Sequence, residues 1–151
     1  MNETLSYVVA WLQATRYCII MPDTFFGGET PYEFLQDSQW PLELSAWNIR
    51  KAQRGKLGQI AIEANGSVTA HRDKTAGCPF PHSWGAMSFS PEMVGFLRAE
   101  EPHVGYMIDP ALAAGVSVRA RIMQGEYFDC GTPKEYLELV ASKYFGRGTD
   151  V

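Results

Sequence analysis

Leu5, Val8, Val9 and Leu12 recur at i, i+3, i+4 and i+7 near the start of the chain. That spacing lines one face of a helix, predicted from Asn2 to Thr15 with Asn2 placed to cap it. Tyr17-Cys18-Ile19-Ile20-Met21 follows as an unbroken apolar run closed by Pro22-Asp23. It is too short for a helix and reads as a strand buried on both faces, the kind parallel sheets contain. Thr30-Pro31-Tyr32-Glu33 combines a capping-box spacing with proline at the first helical position, predicting a short helix to Asp37. Leu42 to Ile49 reads as a strand. Arg50 to Lys56, with Arg50, Lys51, Arg54 and Lys56, reads as a mobile basic loop. Leu57 to Glu63 and Ser67 to Asp73 are strands around Asn65-Gly66, a strong hairpin signal, and Ala86 to Phe89 is a further strand.

Ser90-Pro91-Glu92 starts a helix with Met93, Phe96 and Leu97 on one face. A brief helix near Pro110 stops at Gly115, and Val116, Val118, Ala120 and Ile122 alternate as a strand. Thr132-Pro133-Lys134-Glu135 opens a last helix whose predicted buried face is Leu137, Val140, Ala141 and Tyr144. Residues 146–151 read as a frayed tail, leaving one domain over 1–145. Interleaved strands and helices, with no repeat and no Pro/Gly-rich linker, predict an α/β domain: a mixed sheet flanked by helices.

Composition narrows the function classes. The 151 residues, 46% hydrophobic and 20% charged, suit a single folded domain and exclude a disordered chain. A net charge of -4 argues against general nucleic-acid binding, which needs a basic surface. No apolar run approaches the ~18 residues of a membrane helix. Met1-Asn2-Glu3-Thr4 does not resemble a signal peptide, so the expected setting is cytoplasmic, with no membrane partner. Cys18, Cys78 and Cys130 are odd in number and scattered, which predicts reduced thiols. His71, His82 and His103 share no metal-ligand spacing with them and read as surface imidazoles.

Two carboxylates carry candidate chemistry because each closes an apolar strand: Asp23 after Ile19-Ile20-Met21-Pro22, and Asp129 in Gly125-Glu126-Tyr127-Phe128-Asp129-Cys130-Gly131-Thr132-Pro133. Ligands of open α/β sheets sit at strand carboxyl ends. Mg2+ takes one or two protein carboxylates and completes its octahedron with water and substrate phosphate. The alternative is that Asp23 is a turn residue and Asp129 organises the bend before Gly131.

The segment from Gly125 to Leu137 resembles the closing motif of the sugar-phosphate nucleotidylyltransferases, in which an aspartate before Gly-Thr-Pro helps hold magnesium. Met21-Pro22-Asp23-Thr24 resembles the motif carrying the other metal aspartate. Leu57-Gly58-Gln59-Ile60, Asn65-Gly66, Asp73-Lys74 and Trp84-Gly85 follow in that family's order. The resemblance spans Tyr7 to Ala141. It implies that Asp23 and Asp129 hold the metal and that Gly58, Trp84 and Gly85 line a sugar site. Asp73 stands where the family usually has glutamate, Lys74 contacts the sugar phosphate, and Lys74 and Asp129 are the catalytic candidates. Thr75 replaces the proline expected after the lysine.

The family's opening strand and Gly-rich, arginine-bearing loop have no counterpart here. Gly27-Gly28 is isolated, and no G-x-G-x-x-G occurs. The resemblance therefore implies a truncated domain that retains the sugar-phosphate half of the site without stand-alone catalysis. Two other expectations are a non-catalytic binding or assembly module, and half of a split enzyme completed by a second chain. Removing the preceding strands would leave Tyr17 to Met21 as a sheet edge and uncover Trp11. This predicts a homodimer through Tyr7, Trp11 or the strand at Cys18 to Ile20.

Overall fold

Strand β6 (His82–Phe89) is the axis around which the main sheet of the computed structural model, described over residues 2–145, is assembled. One edge of β6 pairs antiparallel with β3 (Leu42–Asn48). Its other edge is shared, with β4 (Gly58–Ile62) beside its first residues and β1 (Tyr17–Ile20) beside its last. Beyond β4 lies β5 (Val68–Asp73), joined to it by the predicted Asn65-Gly66 turn, in which Asn65 Oδ1 accepts from the Ser67 amide at 2.8 Å. Beyond β3 lies β7 (Val118–Ile122), the parallel partner that makes the sheet mixed. A separate antiparallel pair, β2 (Thr24–Gly28) with β8 (Gly125–Asp129), stands against one face of this six-stranded sheet. The helices are α1 (Asn2–Leu12), α2 (Tyr32–Gln36), α3 (Ile108–Ala113) and α4 (Pro133–Val140). The α/β class and mixed sheet expected from the sequence are those found.

Alternation along β3 sends its side chains to two cores. Leu42, Leu44 and Ala46 join Met87, Phe89, Met107 and Ile108 in the larger one, which α1 touches through Val9. Trp47 faces the other way, into a smaller core with Leu57, Met123 and Tyr127 that binds β2 and β8 to the sheet. At the start of α4, Thr132 accepts from the Glu135 amide at 3.3 Å, as its sequence predicts.

Several local expectations are corrected. The Tyr17 run is an edge strand antiparallel to β6, with Cys18 exposed, rather than a strand buried on both faces. An apolar run reports a wish for burial and not the number of strand neighbours. In α1 only Asn2 and Val9 are buried, and Asn2 lies within the helix, donating to the Arg98 carbonyl at 3.2 Å. Tyr7 and Trp11 are exposed, on the surface where the expected self-association would lie. Pro31 stands at the start of α2 with no side-chain capping bond, so the Thr30 box does not form. The Pro91–Phe96 segment is a 3-10 helix rather than an α-helix.

Residues 50–56 are not a mobile loop. They contain a 3-10 turn, Lys51–Gln53, in which buried Gln53 donates to the Tyr127 carbonyl at 2.9 Å. The Arg50 guanidinium lies 4.2 Å from the centre of the Phe128 ring. His71 is fully buried rather than superficial. The expected tail, 146–151, lies outside the described residues. Among the described residues, no helix is long and apolar enough to cross a membrane.

The inward face of α4 also differs: Leu137 and Val140 are exposed, and Leu139 is buried. The 3.6-residue period fits either face. Burial of Leu139 decides between them, and Glu135, one turn before it on the same side, lies 3.6 Å from Lys56 Nζ. Leu139→Ala should therefore cost about 2–5 kcal/mol in urea unfolding, and Leu137→Ala no more than about 0.5 kcal/mol. Equal losses would contradict this orientation.

Candidate functional site

Asp23 and Asp129 come together because β2 and β8 pair in one register, with Thr24 opposite Asp129. The Cys130 amide then donates to the Asp23 carbonyl at 2.7 Å, closing the two strand ends on each other. A methyl group built on Gly131 would lie 3.1 Å from Asp23 Oδ2 and 3.2 Å from Asp129 Oδ1. The two carboxylates thus flank one small space.

Alternation on β8 explains the direction of Asp129. Tyr127, two residues earlier, faces the same way and is anchored on Trp47 with ring centres 5.2 Å apart. Phe128 faces oppositely, toward Phe25 and Tyr144.

Gly85 is the extra residue where the β3–β6 register shifts between Ser45 and Ala46, a bulge that bends β6 beside the site. A Cβ there would lie 2.4 Å from the Tyr127 ring, so only glycine lets β8 approach so closely. The neighbouring Trp84 indole is clamped in the same fashion. A Cβ on Gly58 would fall 2.3 Å from its Nε1, and one on Gly105 would fall 2.6 Å from its Cζ2.

Asp73 ends β5 opposite Gly58, and Lys74 follows it. Lys74 adopts φ +43°, a left-handed conformation rare outside glycine. Strain of this kind gathers at ligand sites, where function requires the side chain that the backbone disfavours.

These segments enclose one cavity of about 300 Å³, lined by all seven sequence candidates: Asp23, Gly58, Asp73, Lys74, Trp84, Gly85 and Asp129. Lys56, Tyr127, Pro102 and His103 also line it and were not singled out from the sequence. Lys56 belongs to the stretch that reads from sequence as a basic loop. Pro102 and His103 arrive on a connection between two 3-10 turns, which carries no periodic or motif signal.

The electrostatics agree with the geometry. Burial pushes the Tyr127 phenol far above its ordinary range, and the charges of Asp129 and then Asp23 raise it further. The Cys130 thiol is raised by the same three causes in the same order, so it stays protonated and poorly nucleophilic at neutral pH. The His103 imidazole is lowered, chiefly by burial, against the opposing pull of Asp73.

The donor chemistry of Asp23 and Asp129 fits a hard cation that keeps water and takes a phosphate oxygen, which is the habit of Mg2+. Among the described residues there is no group of three or more His, Cys, Asp or Glu that could hold a metal, so a closed site of the structural-zinc type has no donors here.

No protein-family model and no curated protein matches the sequence. Solved structures do match the fold. A glucose-1-phosphate thymidylyltransferase from Bacillus anthracis, in complex with a sucrose, superposes with a TM-score of 0.74 at 16% identity, covering 93% of this chain and 59% of that one. HddC from Yersinia pseudotuberculosis superposes with a TM-score of 0.63 at 16% identity, covering 91% and 60%. The same protein complexed with GMP-PN gives 0.62, again at 16% identity and with the same coverage. The chain therefore shares the fold of these proteins and spans about three-fifths of their length.

The strain at Lys74 is testable. Lys74→Gly should leave stability unchanged or raise it by up to about 1 kcal/mol in urea unfolding, because relief of the left-handed side chain outweighs the added freedom of glycine when unfolded. A loss above about 1 kcal/mol would mean that the lysine side chain supports the fold.

Proposed function

We propose that the cavity binds a sugar phosphate together with hydrated Mg2+, and that the 151-residue chain alone does not catalyse nucleotidyl transfer. One observation carries the reading. Two converging carboxylates, a carboxylate–lysine pair and an indole, drawn from four separate segments, line a single cavity. Its volume of about 300 Å³ lies at the lower end for small-molecule sites.

In this reading Asp23 and Asp129 hold the cation, which when bound neutralises charge on phosphate oxygens. Lys74 places its ammonium against the phosphate, held at the cavity by its unusual backbone conformation. Asp73 accepts hydrogen bonds from sugar hydroxyls. Gly58, Trp84 and Gly85 form the wall against which the apolar face of the ring lies. Tyr127, stacked over Gly85, keeps that wall dry and rigid. The chain contains no glycine-rich loop with an adjacent arginine, the element that cradles a triphosphate. Without a held nucleotide, the orientation term worth roughly 7–11 kcal/mol of a barrier is missing.

A second reading has another chain supply the nucleotide-binding part, with this cavity as the acceptor half; the chain spans about three-fifths of the length of these neighbours. Both readings require the same binding event.

Calorimetric titration of glucose 1-phosphate in Mg2+ should show binding that weakens about tenfold or more in Lys74→Ala, the scale expected when a charged hydrogen bond is lost. Equal affinity in that variant would overturn the assignment. Adding UTP or dTTP should release no pyrophosphate above background. Release that disappears in Asp23→Ala or Asp129→Ala would identify a minimal enzyme instead.

A further inference from the structure

Two His–Asp pairs join β5 to the segment 102–109, and they run in opposite order. From β5, His71 Nδ1 lies 3.1 Å from Asp109 Oδ2, while Asp73 Oδ2 lies 3.2 Å from His103 Nε2. His71 and Asp73 are two residues apart on one strand and so share a face. In the inner pair His71 is fully buried while Asp109 reaches the surface; the outer pair stands at the cavity.

His103 is held from several sides. Its ring rests against Tyr106 with centres 4.6 Å apart, Asp73 takes its Nε2, and the next turn of its segment places Gly105 against the Trp84 indole. The Asp73 side chain keeps only 12% of its surface exposed. Among the described residues, Asp73 Oδ1 has no hydrogen-bond or ion-pair partner, whereas Oδ2 is engaged by the imidazole.

We propose that His103 is a specificity-determining positioning residue, which holds Oδ2 of Asp73 and so dedicates Oδ1 to one hydroxyl of the bound sugar. The inference rests on the reading of the cavity as a sugar-phosphate site and names what selects among sugars there. A carboxylate free to rotate accepts from many hydroxyl arrangements; one with an oxygen already occupied accepts along a single direction. A site built around such a bond rejects an analogue lacking the hydroxyl, because its polar group is then left unpaired.

The titratable and charged groups that face the imidazole are Asp73, Lys74 and His71, with Asp109 behind His71. Burial lowers the imidazole against the opposing pull of Asp73, and Nε2 is the ring nitrogen that faces the carboxylate.

The test is a calorimetric series with glucose 1-phosphate and its 2-, 3-, 4- and 6-deoxy analogues in Mg2+. The native chain should reject one analogue by about tenfold or more. In His103→Ala that ratio should fall to within about threefold, through weaker binding of glucose 1-phosphate itself. His103→Gln, whose amide nitrogen reaches nearly as far as Nε2, should restore it, and the shorter His103→Asn should not. Circular dichroism and urea midpoints establish folding, and the Gln–Asn contrast keeps the test decisive if the alanine variant unfolds. An unchanged ratio in folded His103→Ala, or failure of Gln to restore what Asn loses, overturns the role of His103 alone. Absence of sugar-phosphate binding in the native chain overturns the site reading and this inference together.

Discussion

The register of a five-residue pair, β2 against β8, is the constraint on which the site depends. Side chains on a strand alternate, so a slip by one residue would turn Tyr127 and Asp129 outward and Phe128 inward. Packing on both faces prevents the slip. Inside, Tyr127 and Phe26 stack on Trp47, with ring centres 5.2 and 5.1 Å away. Outside, Phe25 meets Phe128, Tyr144 and Phe145, and the Tyr144 hydroxyl donates to the Gly27 carbonyl at 2.8 Å. Aromatic packing thus does for two carboxylates what neither could do unaided. It holds like charges side by side.

The rest of the cavity is made by departures from regular structure rather than by regularity. The bulge at Gly85, the glycines that admit the Trp84 indole, and the left-handed Lys74 each weaken a local element. Lys74→Gly separates strain from chemistry because the backbone improves while the ammonium is lost. Such concessions are tolerated because the buried residues of β3 and β6, among them Leu42, Leu44, Met87 and Phe89, supply the stability that the site gives up.

What was legible in the sequence was chemistry written within a few consecutive residues. Asn65-Gly66 specifies a turn whichever sheet it joins, Thr132-Pro133 specifies a helix start, and an aspartate after an apolar run marks a strand end. Those local signals, taken with the family resemblance, named Asp23, Gly58, Asp73, Lys74, Trp84, Gly85 and Asp129, which the fold gathers into one cavity. What was not legible depends on distant partners. The inward face of α4, the burial of His71 beside Asp109, and the antiparallel pairing of β1 with β6 are all set by residues distant in the chain. His103 lines the cavity on a segment whose Gly105 fits against an indole contributed by another strand. No window of sequence contains that contact.

The convergence of Asp23 and Asp129 on one cation is the central claim, and Mn2+ used as a paramagnetic probe tests it most directly. Titrated into the isotope-labelled chain, Mn2+ should first broaden the amide signals of Asp23, Thr24, Cys130 and Gly131 and leave those of Asn65 and Gly66 sharp. Asp129→Asn should abolish that selective broadening. Broadening spread over the surface carboxylates, or undiminished in Asp129→Asn, would contradict the account.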